Sequence, residues 1–140
     1  MPVHRIAHRG YSAVAPENTL PALAAAVLGG ATFVEFDVRT TADGVPVVIH
    51  DRTVDRTTSG TGHVRDLSLD EVRELDAGSW FSPAYAGARV PTLAETLDLL
   101  AAGDHGLLLE IKPPATPEQV KAILELVAER ELPARTINRR

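Results

Sequence analysis

Three carboxylates lie in apolar stretches of this sequence, where an unpaired charge would be costly. Glu35 and Asp37 are two residues apart within the apolar run 33–38, and Glu110 follows the apolar run 107–109. Since side chains alternate between the two faces of a strand, Glu35 and Asp37 point the same way. Protonation, basic side chains or a metal ion could neutralise them. The third carboxylate favours a metal, and three oxygen ligands predict one divalent ion, Ca2+ or Mg2+, rather than zinc.

Two histidines and two basic residues stand at similar strand endings. His8 is followed directly by Arg9, His50 ends an apolar stretch, and Lys112 lies two residues after Glu110. Imidazole titrates near neutral pH, so the two histidines are candidates for an acid and base pair. Arg9 and Lys112 could hold an anionic group, or could instead pair with nearby carboxylates. Together with a metal, these side chains predict a site for phosphoryl chemistry.

Composition places the chain among globular proteins and excludes several other classes. Its 140 residues are 44% hydrophobic and 24% charged, which supplies enough apolar side chains for a core. The net charge is -5, and the sequence contains no block of basic residues, so we expect no nucleic-acid partner. No apolar run reaches the roughly 20 residues of an integral membrane segment, and no cysteine is present for a zinc–thiolate site. The amino terminus has no signal-like leader, so the expected location is cytoplasmic.

Strands alternate with helices along the chain, which favours an α/β fold with a parallel sheet covered by helices. We predict strands at about 3–8, 33–38 and 45–50, and a first helix whose N-cap is Asn18. The connection 39–44 is too short for the usual crossover helix between parallel strands, and its path stays open.

A parallel sheet would collect the polar side chains at one edge, because the carboxyl ends of its strands meet there and active sites form there. The residues concerned are His8, Arg9, Glu35, Asp37, His50, Glu110 and Lys112. The other histidines lack such neighbours, and we expect them at the surface. They are His4, His63 and His105.

A polar, glycine-containing stretch interrupts the alternation after the third strand. We interpret about 51–90 as a small insertion, and its aromatic residues Trp80, Phe81 and Tyr85 are expected to pack rather than to bind substrate. Three helices are predicted from capping boxes, in which a Ser or Thr oxygen and a Glu or Gln side chain satisfy otherwise free amides. These boxes begin at Ser68, Thr92 and Thr116.

Five motifs in order resemble those of the glycerophosphodiester phosphodiesterase family. They are His8-Arg9-Gly10, Pro16-Glu17-Asn18-Thr19, Glu35-Phe36-Asp37, His50-Asp51 and Glu110-Ile111-Lys112. The stretch from Asp51 to Gly62 also resembles the start of the insertion that is characteristic of this family. Each motif alone is weak, but five in the right order and spacing are hard to obtain by chance. The resemblance implies a (β/α)8 barrel of the TIM type.

The resemblance also implies an activity, namely hydrolysis of phosphodiesters such as glycerophosphocholine to glycerol 3-phosphate and an alcohol. It assigns roles to residues already singled out: Glu35, Asp37 and Glu110 as metal ligands, His8 and His50 as the acid and base, and Arg9 and Lys112 as phosphate-binding residues. In the mechanism proposed for the family, the glycerol 2-hydroxyl attacks phosphorus, and water later opens the cyclic phosphate.

The length of the chain departs from the family pattern. A barrel of this type needs about 200 residues or more, and we predict that 1–140 is a partial barrel domain that stops after its fourth strand and helix. The segment 135–140 lacks the apolar run expected of a fifth strand. Open sheet edges predict self-association. Two alternatives therefore stand beside the enzyme: a silent half-barrel that acts as a binding or assembly module, and another phospholipase of similar barrel type, either sphingomyelinase D-like or phosphatidylinositol-specific phospholipase C-like.

Overall fold

The computed structural model describes residues 3–139, and the elements in this range alternate as predicted. The strands and α-helices are β1 (Ile6–Ala7), α1 (Leu20–Leu28), β2 (Phe33–Thr40), β3 (Pro46–Val48), α2 (Leu69–Arg73), α3 (Leu93–Ala101), β4 (Gly106–Ile111), α4 (Pro117–Glu129) and β5 (Thr136–Arg139). Short 3-10 turns lie at Val64–Asp66, Pro83–Tyr85 and Pro133–Arg135.

Four of the strands form a parallel sheet in the order β1-β2-β4-β5. The predicted parallel arrangement is therefore confirmed for these strands, although β1 has only two of the six residues predicted for it. The prediction that no strand lies at 135–140 is wrong. Residues 136–139 pair with β4, with Thr136 opposite Leu107. This edge strand needs no apolar run because it is largely exposed, and Ile137 keeps 51% of its surface.

Strand β3 runs antiparallel to β2, which resolves the connection that the sequence analysis left open. The connection is a tight turn in which Gly44 takes φ +83°, a conformation that favours glycine. Antiparallel neighbours need no crossover, which explains why 39–44 could be so short. The strand returns beside β2, and the Ile49 amide donates to the Asp37 carbonyl oxygen at 3.0 Å. His50 therefore reaches the region of Asp37 by a different route from the one expected.

The N-cap of α1 is Thr19, not Asn18 as predicted. Asn18 takes φ +56°, a left-handed conformation that Asn tolerates better than most residues. Its side-chain amide donates to Asp37 Oδ2 at 3.0 Å instead of capping the helix. The start of α1 thus sets the position of a buried carboxylate.

The three capping boxes are confirmed at Ser68, Thr92 and Thr116, each with both reciprocal hydrogen bonds. They start α2, α3 and α4. Apolar faces of α1, α3 and α4 pack on the sheet and form the main core. Its largest buried members include Leu23, Val34, Phe36, Leu97, Leu107, Leu109 and Ile123. This packing fixes β2 and β4 as rigid supports for the polar side chains at their ends.

The predicted insertion builds a small core of its own against β3. Val47 and Ile49 pack there with Val54, Val64 and Val72 of the insertion. Trp80, Phe81 and Tyr85 form consecutive edge-to-face pairs, with ring centroids 5.8 Å apart in both. The Tyr85 hydroxyl also donates to the Val14 carbonyl at 2.9 Å, which ties the insertion to the β1–α1 loop.

Two of the three histidines expected at the surface, His4 and His63, are exposed. The expectation for His105 is wrong, since it keeps only 8% of its surface. Its carbonyl accepts hydrogen bonds from Arg135 Nε and Nη2 at 3.0 and 2.8 Å, and its ring lies over Gly103. Burial lowers the pKa of His105. Within residues 3–139, no helix is both long enough and apolar enough to cross a bilayer.

Candidate active site

The three predicted carboxylates meet on neighbouring parallel strands. Asp37 of β2 lies directly opposite Glu110 of β4 in the register, and Glu35 lies two residues before Asp37 on the same face. One oxygen from each side chain lies within 4.8 Å of the other two. Asp37 keeps 1% of its surface and Glu35 keeps 7%. Side chains of this kind would repel one another as three bare carboxylates, so the cluster requires a positive partner.

The cluster fits a hard divalent cation. Glu35 Oε1 and Asp37 Oδ1 are buried and accept no hydrogen bond within the described part of the chain. Burial, reinforced by the charge of Asp37, raises the pKa of Glu35 to about 8. Buried carboxylate oxygens without donors are the groups that Ca2+ and Mg2+ bind, and a bound cation would replace the proton that Glu35 otherwise holds.

Two cations flank the cluster, as the sequence predicted. Lys112 Nζ lies 3.0 Å from Glu110 Oε1 and 3.8 Å from Asp37 Oδ1. Arg9 Nε lies 3.6 Å from Asp37 Oδ2, and the Arg9 amide donates to Glu35 Oε2 at 2.9 Å. Arg9 and Lys112 thus pair with carboxylates of the cluster, which the sequence analysis gave as the alternative to binding an anionic group. The same positions also place positive charge beside the cluster, where an anionic ligand would be held.

A strained turn brings Arg9 to the cluster. Arg9 itself takes φ +58°, and Gly10 takes φ +78°. A Cβ at Gly10 would lie 2.7 Å from the Ala22 carbonyl carbon, so only glycine allows this close approach to α1. The Gly10 amide donates to the Glu35 carbonyl at 3.2 Å, which fixes the turn against β2.

The two predicted histidines differ in their surroundings. His8 Nε2 lies 3.5 Å from Glu35 Oε2, and 66% of the His8 side chain is exposed to solvent. His50 is more enclosed, with its Nδ1 2.8 Å from Asp51 Oδ1. The Arg39 Nε donates to the His50 carbonyl at 2.8 Å and so fixes its backbone. His8 therefore lies beside Glu35 and is open to solvent, whereas Asp51 orients the imidazole of His50.

Sequence reasoning missed two residues that organise these groups. Asn18 was interpreted as a helix cap, but it binds Asp37, and nothing in its local sequence distinguishes the two uses. Arg56 pairs with both Asp51 and Glu17, which are far from each other in sequence. Burial would raise the pKa of Glu17, but Arg56 and Arg9 hold it below its usual value. The position of Arg56, five residues after Asp51 in a polar stretch, was the only available signal.

The raised pKa of Glu35 predicts that metal binding releases protons. The folded pKa of about 8 exceeds the usual 4.5, so this group stabilises the metal-free fold below about pH 4.5. That contribution is lost as the pH rises to about 8. Near pH 7 the metal-free carboxyl is mostly protonated, and Ca2+ binding should release up to about one proton. Calorimetry in two buffers of different ionisation enthalpy measures this number, and equal heats in both would show that Glu35 is already ionised.

Comparison with known proteins identifies the family of this chain. The family model described as "Glycerophosphoryl diester phosphodiesterase family" matches residues 8–138. The chain belongs to this family. A glycerophosphodiester phosphodiesterase of Caldanaerobacter subterraneus subsp. tengcongensis is 47% identical over 126 residues, which cover 86% of this chain and 52% of that protein. Glycerophosphodiester phosphodiesterase 1 of Rattus norvegicus is 50% identical over 97 residues, covering 68% of this chain and 29% of that protein.

Solved structures of family members share the fold. A glycerophosphodiester phosphodiesterase of Agrobacterium tumefaciens superposes with a TM-score of 0.89 at 41% identity, over 98% of this chain and 57% of that one. A phosphodiesterase of Oleispira antarctica, solved with the product sn-glycerol-3-phosphate, superposes with a TM-score of 0.88 at 38% identity. That match covers 97% of this chain and 56% of that one.

The chain spans about half the length of the bacterial relatives it matches. The predicted family and the predicted fold class, a partial (β/α)8 barrel of the TIM type, are both confirmed. Within the described residues, β1 and β5 are the two edge strands of the parallel sheet.

Proposed function

We propose that this chain carries the metal and acid–base half of an enzyme that hydrolyses glycerophosphodiesters to glycerol 3-phosphate and an alcohol. The observation that carries the proposal is the cluster of buried Glu35, buried Asp37 and half-buried Glu110. Two cations flank it, and His8 Nε2 lies 3.5 Å from Glu35 Oε2. Membership of the glycerophosphoryl diester phosphodiesterase family supports the reaction class. The Oleispira antarctica relative with bound sn-glycerol-3-phosphate supports a small glycerol phosphate as ligand.

Glu35, Asp37 and Glu110 are the residues that would hold Ca2+ or Mg2+. When bound, such an ion would offset the charge of the phosphoryl oxygens and lower the barrier to attack at phosphorus. Asn18 keeps Asp37 in place through its side-chain amide, and the Arg9 amide does the same for Glu35. These contacts leave one oxygen of each buried carboxylate without a donor, in a position to bind the ion.

Arg9 and Lys112 would hold the phosphate of the substrate. Each lies within 4 Å of the carboxylate cluster, yet Arg9 also bonds to Glu17, which directs its guanidinium. Arginine presents several N–H donors in a plane that matches two phosphate oxygens, whereas lysine supplies a compact charge. Together they would orient the phosphorus and stabilise charge that develops on its oxygens.

His8 and His50 would transfer the protons. In this proposal the glycerol 2-hydroxyl attacks phosphorus, one imidazole takes the hydroxyl proton, and the other gives a proton to the departing alcohol. Water then opens the cyclic phosphate with the two roles exchanged, so that each histidine returns to its starting state. The contact between His50 Nδ1 and Asp51 Oδ1 at 2.8 Å gives His50 a fixed orientation. A cytoplasmic location stays a prediction.

The open edges of the sheet predict the behaviour of the isolated 140 residues. Val3 and Ile6 near one edge are 82% and 56% exposed, and Ile137 of the other edge strand is 51% exposed. Unpaired edges with exposed apolar side chains promote association, so we expect the isolated chain to self-associate or to be marginally stable. Its turnover should be weak or absent, because the match covers only about half of the length of its relatives.

The proposal and the silent half-barrel alternative are separated by one assay. Joining this chain to the C-terminal half of the Caldanaerobacter relative should yield release of glycerol 3-phosphate from glycerophosphocholine, and EDTA should abolish it. Light scattering of the isolated chain is measured in parallel. A joined protein that is folded and metal-loaded yet inactive would favour the binding-module alternative. A monodisperse, fully active 140-residue monomer would contradict the expected need for the second half.

A further inference from the structure

A single arginine of the insertion holds two carboxylates at the edge of the proposed site. Arg56 Nε donates to Asp51 Oδ2 at 2.8 Å, and Nη2 donates to Asp51 Oδ1 at 3.0 Å. Arg56 Nη1 and Nη2 also donate to the two oxygens of Glu17, at 2.8 and 3.0 Å. Arg56 therefore binds each carboxylate in a bidentate manner, which the planar guanidinium permits and a lysine ammonium does not.

The contact with Asp51 determines which nitrogen of His50 carries a proton. The hydrogen bonds from Arg56 hold the pKa of Asp51 well below its usual range, so Asp51 is an ionised carboxylate. An ionised carboxylate only accepts hydrogen bonds. His50 Nδ1, at 2.8 Å from Asp51 Oδ1, must therefore be the donor. In the neutral ring Nε2 is then unprotonated, which is the form that can accept a proton.

The contact with Glu17 extends the same network to the other side of the site. Glu17 Oε2 accepts from Arg9 Nη1 at 3.1 Å, and the Arg9 amide binds Glu35 of the carboxylate cluster. A continuous chain of hydrogen bonds thus joins His50 to Arg9 through Asp51, Arg56 and Glu17. It connects the insertion with the β1–α1 loop, in addition to the hydrogen bond from Tyr85 to Val14.

We propose that Arg56 is a positioning residue, which holds Asp51 against His50 Nδ1 and so leaves His50 Nε2 free to accept a proton. The consequence for turnover rests on the proposed function, whereas the proton position on the ring does not. Arg56 touches neither the carboxylate cluster nor His50 directly among the contacts of the described residues, so it acts through Asp51 alone on this side.

A purely structural role for Arg56 would have a different signature. Its side chain is 46% exposed, and ion pairs at such positions add little to stability on their own. A paired network with two bidentate contacts is better suited to fixing geometry than to stabilising the fold. Loss of Arg56 should therefore leave the fold intact and change the ring of His50.

Nitrogen NMR of the metal-free, 15N-labelled full chain tests this inference directly. The ring nitrogens of His50 are assigned by their loss in His50→Gln and observed at a pH where the ring is neutral. In the unsubstituted chain we expect protonated Nδ1 and bare Nε2. Arg56→Gln should make the Nε2-protonated tautomer the major species, because Asp51 is no longer held against Nδ1. Arg65→Gln is the control, since its side chain makes no hydrogen bond or ion pair within residues 3–139.

The outcomes separate this inference from the proposed function. An unchanged His50 tautomer in folded Arg56→Gln overturns the inference. If that variant does not fold, Asp51→Asn must shift the tautomer instead, and failure to do so overturns it equally. In the joined enzyme, Arg56→Gln should lower kcat about 10-fold with little change in KM or metal affinity. A shifted tautomer together with an active His50→Ala enzyme would refute the acid–base proposal and leave the role of Arg56 in place.

Discussion

Asp37→Ala is expected to abolish binding of Ca2+ and Mg2+ to the folded chain. Asp37 is the most buried of the three carboxylates and lies between the other two, opposite Glu110 and two residues from Glu35. Its Oδ1 accepts no hydrogen bond within the described residues, where Lys112 Nζ approaches it only to 3.8 Å. Removal of a central ligand should reduce affinity by at least about 100-fold.

Calorimetric titration of the unsubstituted chain and of Asp37→Ala with each ion measures this effect. Asp104→Ala is a matched control, because Asp104 is exposed and lies outside the cluster. It should bind both ions as the unsubstituted chain does. Equal binding to Asp37→Ala, or no binding to the folded unsubstituted chain, would show that the metal site is wrongly assigned. A circular dichroism melt must accompany the titration, since Asp37 also accepts a hydrogen bond from Asn18.

His8→Ala and His50→Ala are each expected to lower turnover of the joined enzyme by at least about 100-fold. Neither histidine is among the three carboxylates that would bind the ion, so metal affinity should change little. The two losses have different geometric origins. His8 is open to solvent beside Glu35, whereas His50 is oriented by Asp51.

His63→Ala is the matched control for both histidines. His63 is exposed in the insertion, and its contacts with Thr53 and Asp66 are made by its backbone. Its replacement should leave turnover nearly unchanged. Turnover at the unsubstituted level in either His8→Ala or His50→Ala would refute the acid–base roles. Unfolding of either variant would indicate instead that the histidine supports the structure.

The carboxylate cluster was predictable because its signal is local and chemically costly. Two acidic side chains on the same face of an apolar strand need a positively charged partner in any fold. The parallel pairing of β2 with β4 then places Glu110 opposite Asp37. The capping boxes were predictable for a similar reason, since both partners lie within four residues.

The features that sequence reasoning missed depend on distant contacts. The direction of β3 is set by a tight turn at Gly44 and by pairing with β2, and neither appears in the periodicity of 45–50. The role of Asn18 depends on an aspartate 19 residues away, and the role of Arg56 on a glutamate 39 residues away. The strand β5 was missed because an exposed edge strand lacks the apolar run that identifies buried strands.

The central claim is that Glu35, Asp37 and Glu110 hold one divalent cation. Anomalous X-ray diffraction from crystals grown with Mn2+ tests it most directly, because Mn2+ prefers oxygen ligands and has a usable anomalous signal. The account predicts a single strong peak bounded by the three carboxylates, with Lys112 beside it. A well-ordered structure with no peak there, and with Lys112 bridging Asp37 and Glu110 at saturating Mn2+, would contradict it.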